Sequence, residues 1–201
     1  MQILHLSDTH NQHRQLGNLP VADVIIHSGD ITFTGTGEEM LDFIVWFGSL
    51  NYQYKIFIAG NHDYVLEGKA HERIQGFLPE NCFYLSNSGI TINRINFWGI
   101  PFFFSPDEPN SNTKTIDLVP NDADVIITHR PPFGILDQSS NTRFGCSDLL
   151  QAVTRIRPAY HLFGHIHDAY GIEKHKQTTF LNAAVVDTNY RLVNDPILFE
   201  L

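Results

Sequence analysis

Five short apolar runs in this chain end in the same kind of chemistry, and that recurrence limits the folds open to it. ILHLSDTH delivers Asp8 and His10, VIIHSGD delivers Asp30, and IFIAGNHD delivers Asn61, His62 and Asp63. VIITH delivers His129, and HLFGHIH delivers His165 and His167. The runs are β-branched or aromatic and bounded by turn residues, as buried strands are. In open α/β sheets, ligands bind beyond the carboxyl ends of the strands. A small residue there lets the backbone turn sharply and a ligand come close. Polar groups far apart in sequence can then converge on one point.

The rest of the chain fits such sheets. Strands are expected at 2–7, 23–28, 54–59, 82–85, 89–93, 95–99, 123–128, 159–163, 169–174, 177–182 and 197–200. A helix is expected after Thr36, where Glu39 three residues on completes a capping box and Met40, Phe43, Ile44 and Phe47 share a face. A second is expected at 146–157, with Leu149, Leu150 and Val153 inward and Pro158 as its stop, and a third at 66–77. Strand–helix alternation in the first half and consecutive strands at 169–200 imply mixed sheets with helices outside. No repeat or long Pro/Gly linker divides the 201 residues, so one domain over 1–201 is expected.

The donor set narrows the chemistry. It holds two carboxylates, one amide and several imidazoles, in a chain with 11 His and only Cys82 and Cys146 as thiols. Mixed N/O ligation suits Mn, Fe, Zn or Ni better than Mg or Ca. Six or seven donors are too many for one four-coordinate ion and suffice for two if a carboxylate bridges them. Two such ions can activate water and clamp the attacking and leaving oxygens of a phosphoryl transfer.

The ordered set D-x-H (Asp8, His10), G-D (Gly29, Asp30), G-N-H-D (Gly60 to Asp63), a His after a strand (His129) and G-H-x-H (Gly164 to His167) resembles the calcineurin-like metallophosphoesterases. The stretches THRPPFGILD and GCSDLLQAVTRIRPAYHLFGHIHDAYGI, among others, resemble the small "metallophosphoesterase domain-containing" phosphodiesterases within it. The resemblance implies an α/β fold, a four-layer α-β-β-α sandwich of two mixed β-sheets flanked by helices. It implies one divalent ion held by Asp8, His10, Asp30 and His167, and another by Asp30, Asn61, His129 and His165, with Asp30 bridging. Manganese is the first expectation for the metal, with iron, zinc or nickel as alternatives. His62 would face the substrate, stabilise the transition state and be placed to protonate the leaving oxygen, a task suited to an imidazole. The implied activity is hydrolysis of small phosphodiesters, with cyclic nucleotides among the substrates to try, by a hydroxide held between the metals. A phosphomonoesterase or nuclease on the same fold, or a scaffold without turnover, is the alternative.

The chain departs from the family pattern at Phe33 in the second motif, at Asp63 where Glu is common, and at Arg130, which follows His129. Arg130 is expected either to contact a substrate phosphate or to point to solvent. His13, three residues past His10, is a further candidate for touching substrate. His5, His27 and His161 lie inside strands and are expected as hydrogen-bonded core residues, His71 and His175 at the surface. Asp168 is expected to cap a turn or orient a neighbouring His, and Cys146 to pack. The run PFFFSP, 101–106, is either a strand end split between two core faces or an apolar lip. The net charge of −9 argues against a general nucleic-acid binder, and no run is long enough to span a bilayer. With no secretory pattern at MQILHLSDTH and so few cysteines, a cytoplasmic location is expected.

Overall fold

A computed structural model describes residues 1–103 and 113–201, the side chains of 113 and 114 excepted. The first sheet contains β1 (Gln2–Leu6), β2 (Val24–His27), β3 (Tyr54–Phe57), β4 (Cys82–Tyr84) and the last strand, β13 (Ile197–Glu200). Its order is β13-β1-β2-β3-β4, parallel except at β13. The second contains β5 (Ser88–Ile92), β6 (Ile95–Ile100), β7 (Val125–Thr128), β10 (Tyr160–Phe163), β11 (Gly171–His175) and β12 (Thr178–Asn182). Its order is β11-β12-β10-β7-β6-β5, with antiparallel pairs at both edges and parallel pairs between. Between β7 and β10 a small hairpin pairs β8 (Gln138–Ser139) with β9 (Thr142–Arg143).

Alternation along the strands sorts the side chains into layers. Ile3, Val24, Ile26 and Ile56 of the first sheet share one core with Phe97, Val125, Ile127, Leu162 and Leu181 of the second. Their neighbours Leu4, Leu6, Ile25 and Phe57 face the other way, against Met40, Phe43, Trp46 and Phe47 of α1 (Gly37–Ser49). Ile126, Phe163 and Phe180 pack outward under Leu149, Ala152, Val153 and Ile156 of α4 (Ser147–Ile156). The order is helix, sheet, sheet, helix, the expected four-layer sandwich of mixed sheets.

Local chemistry sets the helix ends. Thr36 Oγ1 accepts from the Glu39 N–H, and the Glu39 carboxylate accepts from the Thr34 and Gly35 N–H groups. α4 ends at Arg157, in the left-handed region at φ 59°, just before Pro158. The helix expected at 66–77 is shorter. A 3₁₀ turn at Tyr64–Leu66 is followed by Gly68 at φ +66°, and only His71–Gln75 forms α2 before Gly76. A short helix, α3 (Thr113–Ile116), and the β8–β9 hairpin were not foreseen. The hairpin has no apolar alternation. The buried Asp137 carboxylate organises it by accepting from Gly134 N–H at 2.8 Å and pairing with Arg143.

The sheets are joined where their strands end. The chain leaving β12 crosses to the first sheet, Ser7 N–H donating to Ala183 O and Val185 N–H to Ser7 O. Beyond β6, Phe102 N–H donates to Ala59 O past the end of β3. No helix among the described residues is long and apolar enough to cross a membrane.

Candidate metal centre

The loops after β1, β2, β3, β7 and β10 meet at this junction. Asp8 N–H donates to Gly29 O and His10 N–H to Asp30 O, Gly164 N–H donates to His129 O, and His165 N–H donates to the Asp8 carboxylate. Such close meshing needs glycine. A Cβ on Gly164 would stand 2.0 Å from Asp8 Oδ2, and one on Gly60 2.3 Å from Asp30 Oδ1. Asp8, His10, Asp30 and His165 all take positive φ, at 57°, 42°, 54° and 69°. Four side-chain-bearing residues in that costly region mark a site held together by its surroundings.

The donor atoms lie at ligand spacing. Asp30 Oδ2 is 3.3 Å from His129 Nε2 and 3.7 Å from His10 Nε2. His167 Nε2 is 3.3 Å from Asp8 Oδ1 and 3.4 Å from His10 Nε2. Metal–ligand bonds of about 2.0–2.2 Å place adjacent donors about 3–3.5 Å apart. Three groupings have donor atoms within 4.8 Å of one another: Asp8–His10–His167, His10–Asp30–His62 and Asp30–His129–His165. Asp30 and His10 each belong to two of them. His129 Nδ1 pairs with Ser28 O at 2.9 Å and His167 Nδ1 with Asp187 O at 3.1 Å. A carbonyl accepts only from N–H, so each Nδ1 carries a proton and Nε2 is the atom each ring turns inward, as in metal-binding histidines. His129 Nε2 and Asn61 Oδ1 are buried without a hydrogen-bond partner. Buried polar atoms are normally satisfied, so these orphans fit a cation in the midst of the cluster.

The electrostatics agree. Burial opposes the Asp8 carboxylate, yet the hydrogen bond from His167 and the charges of His129, His167 and His10 hold its pKa well below the usual range. Burial likewise opposes Asp30, and mainly His129 pulls it down to about 2. His129 is disfavoured by burial but lifted to about 9 by Asp30 and Asp8. His10 and His165 are pushed down to about 4, chiefly by burial. The cluster therefore presents two anions and at least two neutral imidazoles. Protons on His129 and His167 are those a bound cation would displace.

A cleft of about 340 Å³ opens over these donors, lined by His10, Asp30, Asn61, His62, His165 and His167 among others. His62 Nδ1 is held by Phe33 O at 2.9 Å, leaving Nε2 for the cleft, and its N–H donates to Asp30 Oδ1. Asp63 is fully buried and accepts from Gly60, Ile31 and Thr32, so it locks the second and third motifs together. Arg130 is half-buried beside the site. Its Nε donates to Phe144 O and its guanidinium lies 5.6 Å from the Phe102 ring centre, outside the cleft lining. His13 is fully buried, its Nε2 3.1 Å from Asp42 Oδ2 and its ring against Phe43 and Trp46 of α1. That packing turns it away from the cleft, and the expectation of substrate contact is corrected.

The remaining expectations divide. His5, His27 and His161 are buried and hydrogen-bonded to Ser28, Thr9 and Thr128. His175 is exposed, whereas His71 is half-buried, stacked on Tyr84 and bonded to its carbonyl. Asp168 accepts from Ser139 Oγ and so ties β8 to the last motif. Cys146 packs beneath α4. Phe102 stands against His129 and His165 while Phe103 packs on the α1 side, and 104–106 lie outside the described residues. Sequence reasoning missed Ser139, Phe144, Thr188 and Tyr190, which also line the cleft. They come from the small hairpin and from a turn after residue 186, neither of which carries an apolar run or a glycine to flag it.

Comparison with known proteins follows the same lines. The chain is 35% identical to UPF0046 protein K07C11.7 of Caenorhabditis elegans, over 100% of its own length and 75% of that protein. It is 36% identical to human metallophosphoesterase domain-containing protein 1, over 98% and 69% respectively. A solved structure of an archaeal phosphodiesterase shares the fold, with a TM-score of 0.50 at 16% identity over 99% of this chain and 100% of that one. The family model described as calcineurin-like phosphoesterase matches residues 1–169, and the chain belongs to that family.

Proposed function

We propose that the protein is a two-metal phosphodiesterase acting on small diesters. The observation that carries the reading is the position of Asp30. One oxygen of its carboxylate lies 3.7 Å from His10 Nε2 and 3.3 Å from His129 Nε2, between donors assigned to different ions. Asp8, His10, Asp30 and His167 would hold one divalent ion, and Asp30, Asn61, His129 and His165 the other, manganese being the first metal to try. Such ions supply Lewis acidity and a water nucleophile near neutral pH.

The chain's own groups do the rest. Ser28 O and Asp187 O fix the rings of His129 and His167. Phe33 O holds the Nδ1–H of His62 and leaves Nε2 facing the cleft, where it would exchange a proton with the leaving oxygen. The archaeal phosphodiesterase that shares the fold is consistent with a diester. The net charge of −9 disfavours long nucleic acids. Two free cysteines are consistent with work in a reducing, cytoplasmic setting.

Metal-stripped protein should gain turnover of bis-p-nitrophenyl phosphate when Mn²⁺ is restored, and should prefer it to p-nitrophenyl phosphate. Preference for the monoester would replace the diester assignment. No turnover with Mn²⁺, Fe²⁺, Zn²⁺ or Ni²⁺ would overturn the enzymatic reading.

A further inference from the structure

Tyr190 sits at the rim of the metal cleft in a conformation that ordinary packing does not require. It is an L-residue with a large ring at φ 58°, in the left-handed region. The surrounding turn is pinned to keep it there. Asp187 Oδ1 accepts from the Asn189 and Arg191 N–H groups, and its Oδ2 pairs with the Arg191 guanidinium. The Tyr190 N–H donates to Asp187 O, and Gln12, just past the first motif, holds the Tyr190 carbonyl at 2.8 Å. The same Asp187 carbonyl receives the Nδ1–H of His167, so the turn is built onto a donor of the site.

The ring projects over that site. Its centre is 4.8 Å from His10 and 5.5 Å from His167, edge-on to both, and 6.3 Å from His62. Phe33 lies 5.2 Å from Tyr190 and 6.2 Å from His62. Both aromatics remain open to solvent, Phe33 at 45% and Tyr190 at 37% exposure. Two apolar rings, partly exposed above a polar floor, flank the imidazole assigned to the leaving oxygen and form a wall on that side of the cleft.

We infer that Tyr190 and Phe33 are specificity-determining residues that stack on a flat, apolar ester arm of the substrate on the His62 side. This deepens the phosphodiesterase reading and rests on it. The chemistry selected is a planar, aromatic leaving group rather than an alkyl one, because an edge or face of a ring gains from a π-surface what it does not gain from a methyl group. The ring of Tyr190, not its hydroxyl, does this work.

Binding can be read without turnover by calorimetry of the Mn²⁺-loaded protein with phenylphosphonate and methylphosphonate. Phenylphosphonate should bind about tenfold more tightly, the size of one stacking contact. Tyr190→Ala and Phe33→Ala should each remove most of that preference while methylphosphonate affinity and metal content hold. Tyr190→Phe should keep it, which separates the ring from the hydroxyl and from a folding defect. Equal affinity for the two phosphonates, or a preference untouched by Tyr190→Ala, would overturn the aromatic wall alone. Binding of neither, with both metals present, would instead remove the phosphoesterase reading beneath it.

Discussion

A single carboxylate shows how much of the site rests on one residue. Asp30 touches both halves of the donor cluster, and its other oxygen receives the His62 N–H. Asp30→Ala should therefore lower the content of both metals, read by elemental analysis after dialysis; one full equivalent retained would refute the bridge. The proposed mechanism keeps His62 out of the ligand set although it stands within ligand range of His10 and Asp30. Its Nδ1 is committed to Phe33 O, and its Nε2 faces the cleft rather than the second donor group. His62→Ala should keep both metals and lose about 10²–10⁴-fold in turnover, the usual loss for a general acid. Loss of metal in that variant would make His62 a ligand. The convergence of the seven candidate donors was legible in the sequence because each follows an apolar run. Tyr190 was not, because nothing in DTNYR marks the turn that lifts its ring over the cleft.

Among elements, the loops after the strands carry the site and the strands carry the loops. Gly164 is where one loop presses on another: a Cβ there would meet Asp8 Oδ2 at 2.0 Å and Ser7 Oγ at 2.1 Å. Its φ is ordinary, so Gly164→Ala tests crowding and not backbone strain. The variant should lose about 1–3 kcal/mol of stability, as overpacked sites do, and bind Mn²⁺ more weakly because Asp8 is displaced. A denaturation midpoint and a metal titration both equal to wild type would show that the loop gives way at no cost. The eleven expected strands all form, with ends within two residues, because burial on both faces writes dense β-branched runs such as VIIH and VIIT. The β8–β9 hairpin left no such trace. Asp137 and its partners fix it through contacts that no periodicity encodes. α2 was overestimated because Gly68, which breaks the helical stretch, resembles any other glycine until its φ is known.

At the scale of the whole molecule, histidines that never touch the cleft should make the metal-free fold acid-sensitive. His5, His27 and His161 are fully buried in three different strands, and burial, only partly offset by Asp8 for the first two, lowers each from 6.5 to about 3. Below pH 6.5 the unfolded chain takes up protons on them that the folded chain refuses. The unfolded state then binds more protons, so stability rises with pH between about 3 and 6.5 and is lost as pH falls through that window. Each contributes about 1.4 kcal/mol per pH unit. Asp63 acts in the opposite sense. Burial and the charge of Asp30 raise it to about 6, so the fold holds a proton that the unfolded chain releases above 3.8. His10 and His165, lowered to about 4, add to the loss, while His129 and His167 are protonated in both states below 6.5 and add no slope. The three core histidines less Asp63 leave about 3 kcal/mol per pH unit below pH 6, a large share of an ordinary domain's 5–15 kcal/mol. Urea midpoints of metal-free protein should fall steeply from pH 6.5 to pH 5, and His161→Gln should make the fall shallower. A midpoint unchanged between pH 6.5 and 5 would mean that the fold accepts charge on these rings, and that their bonds to Ser28, Thr9 and Thr128 do not require neutral imidazoles.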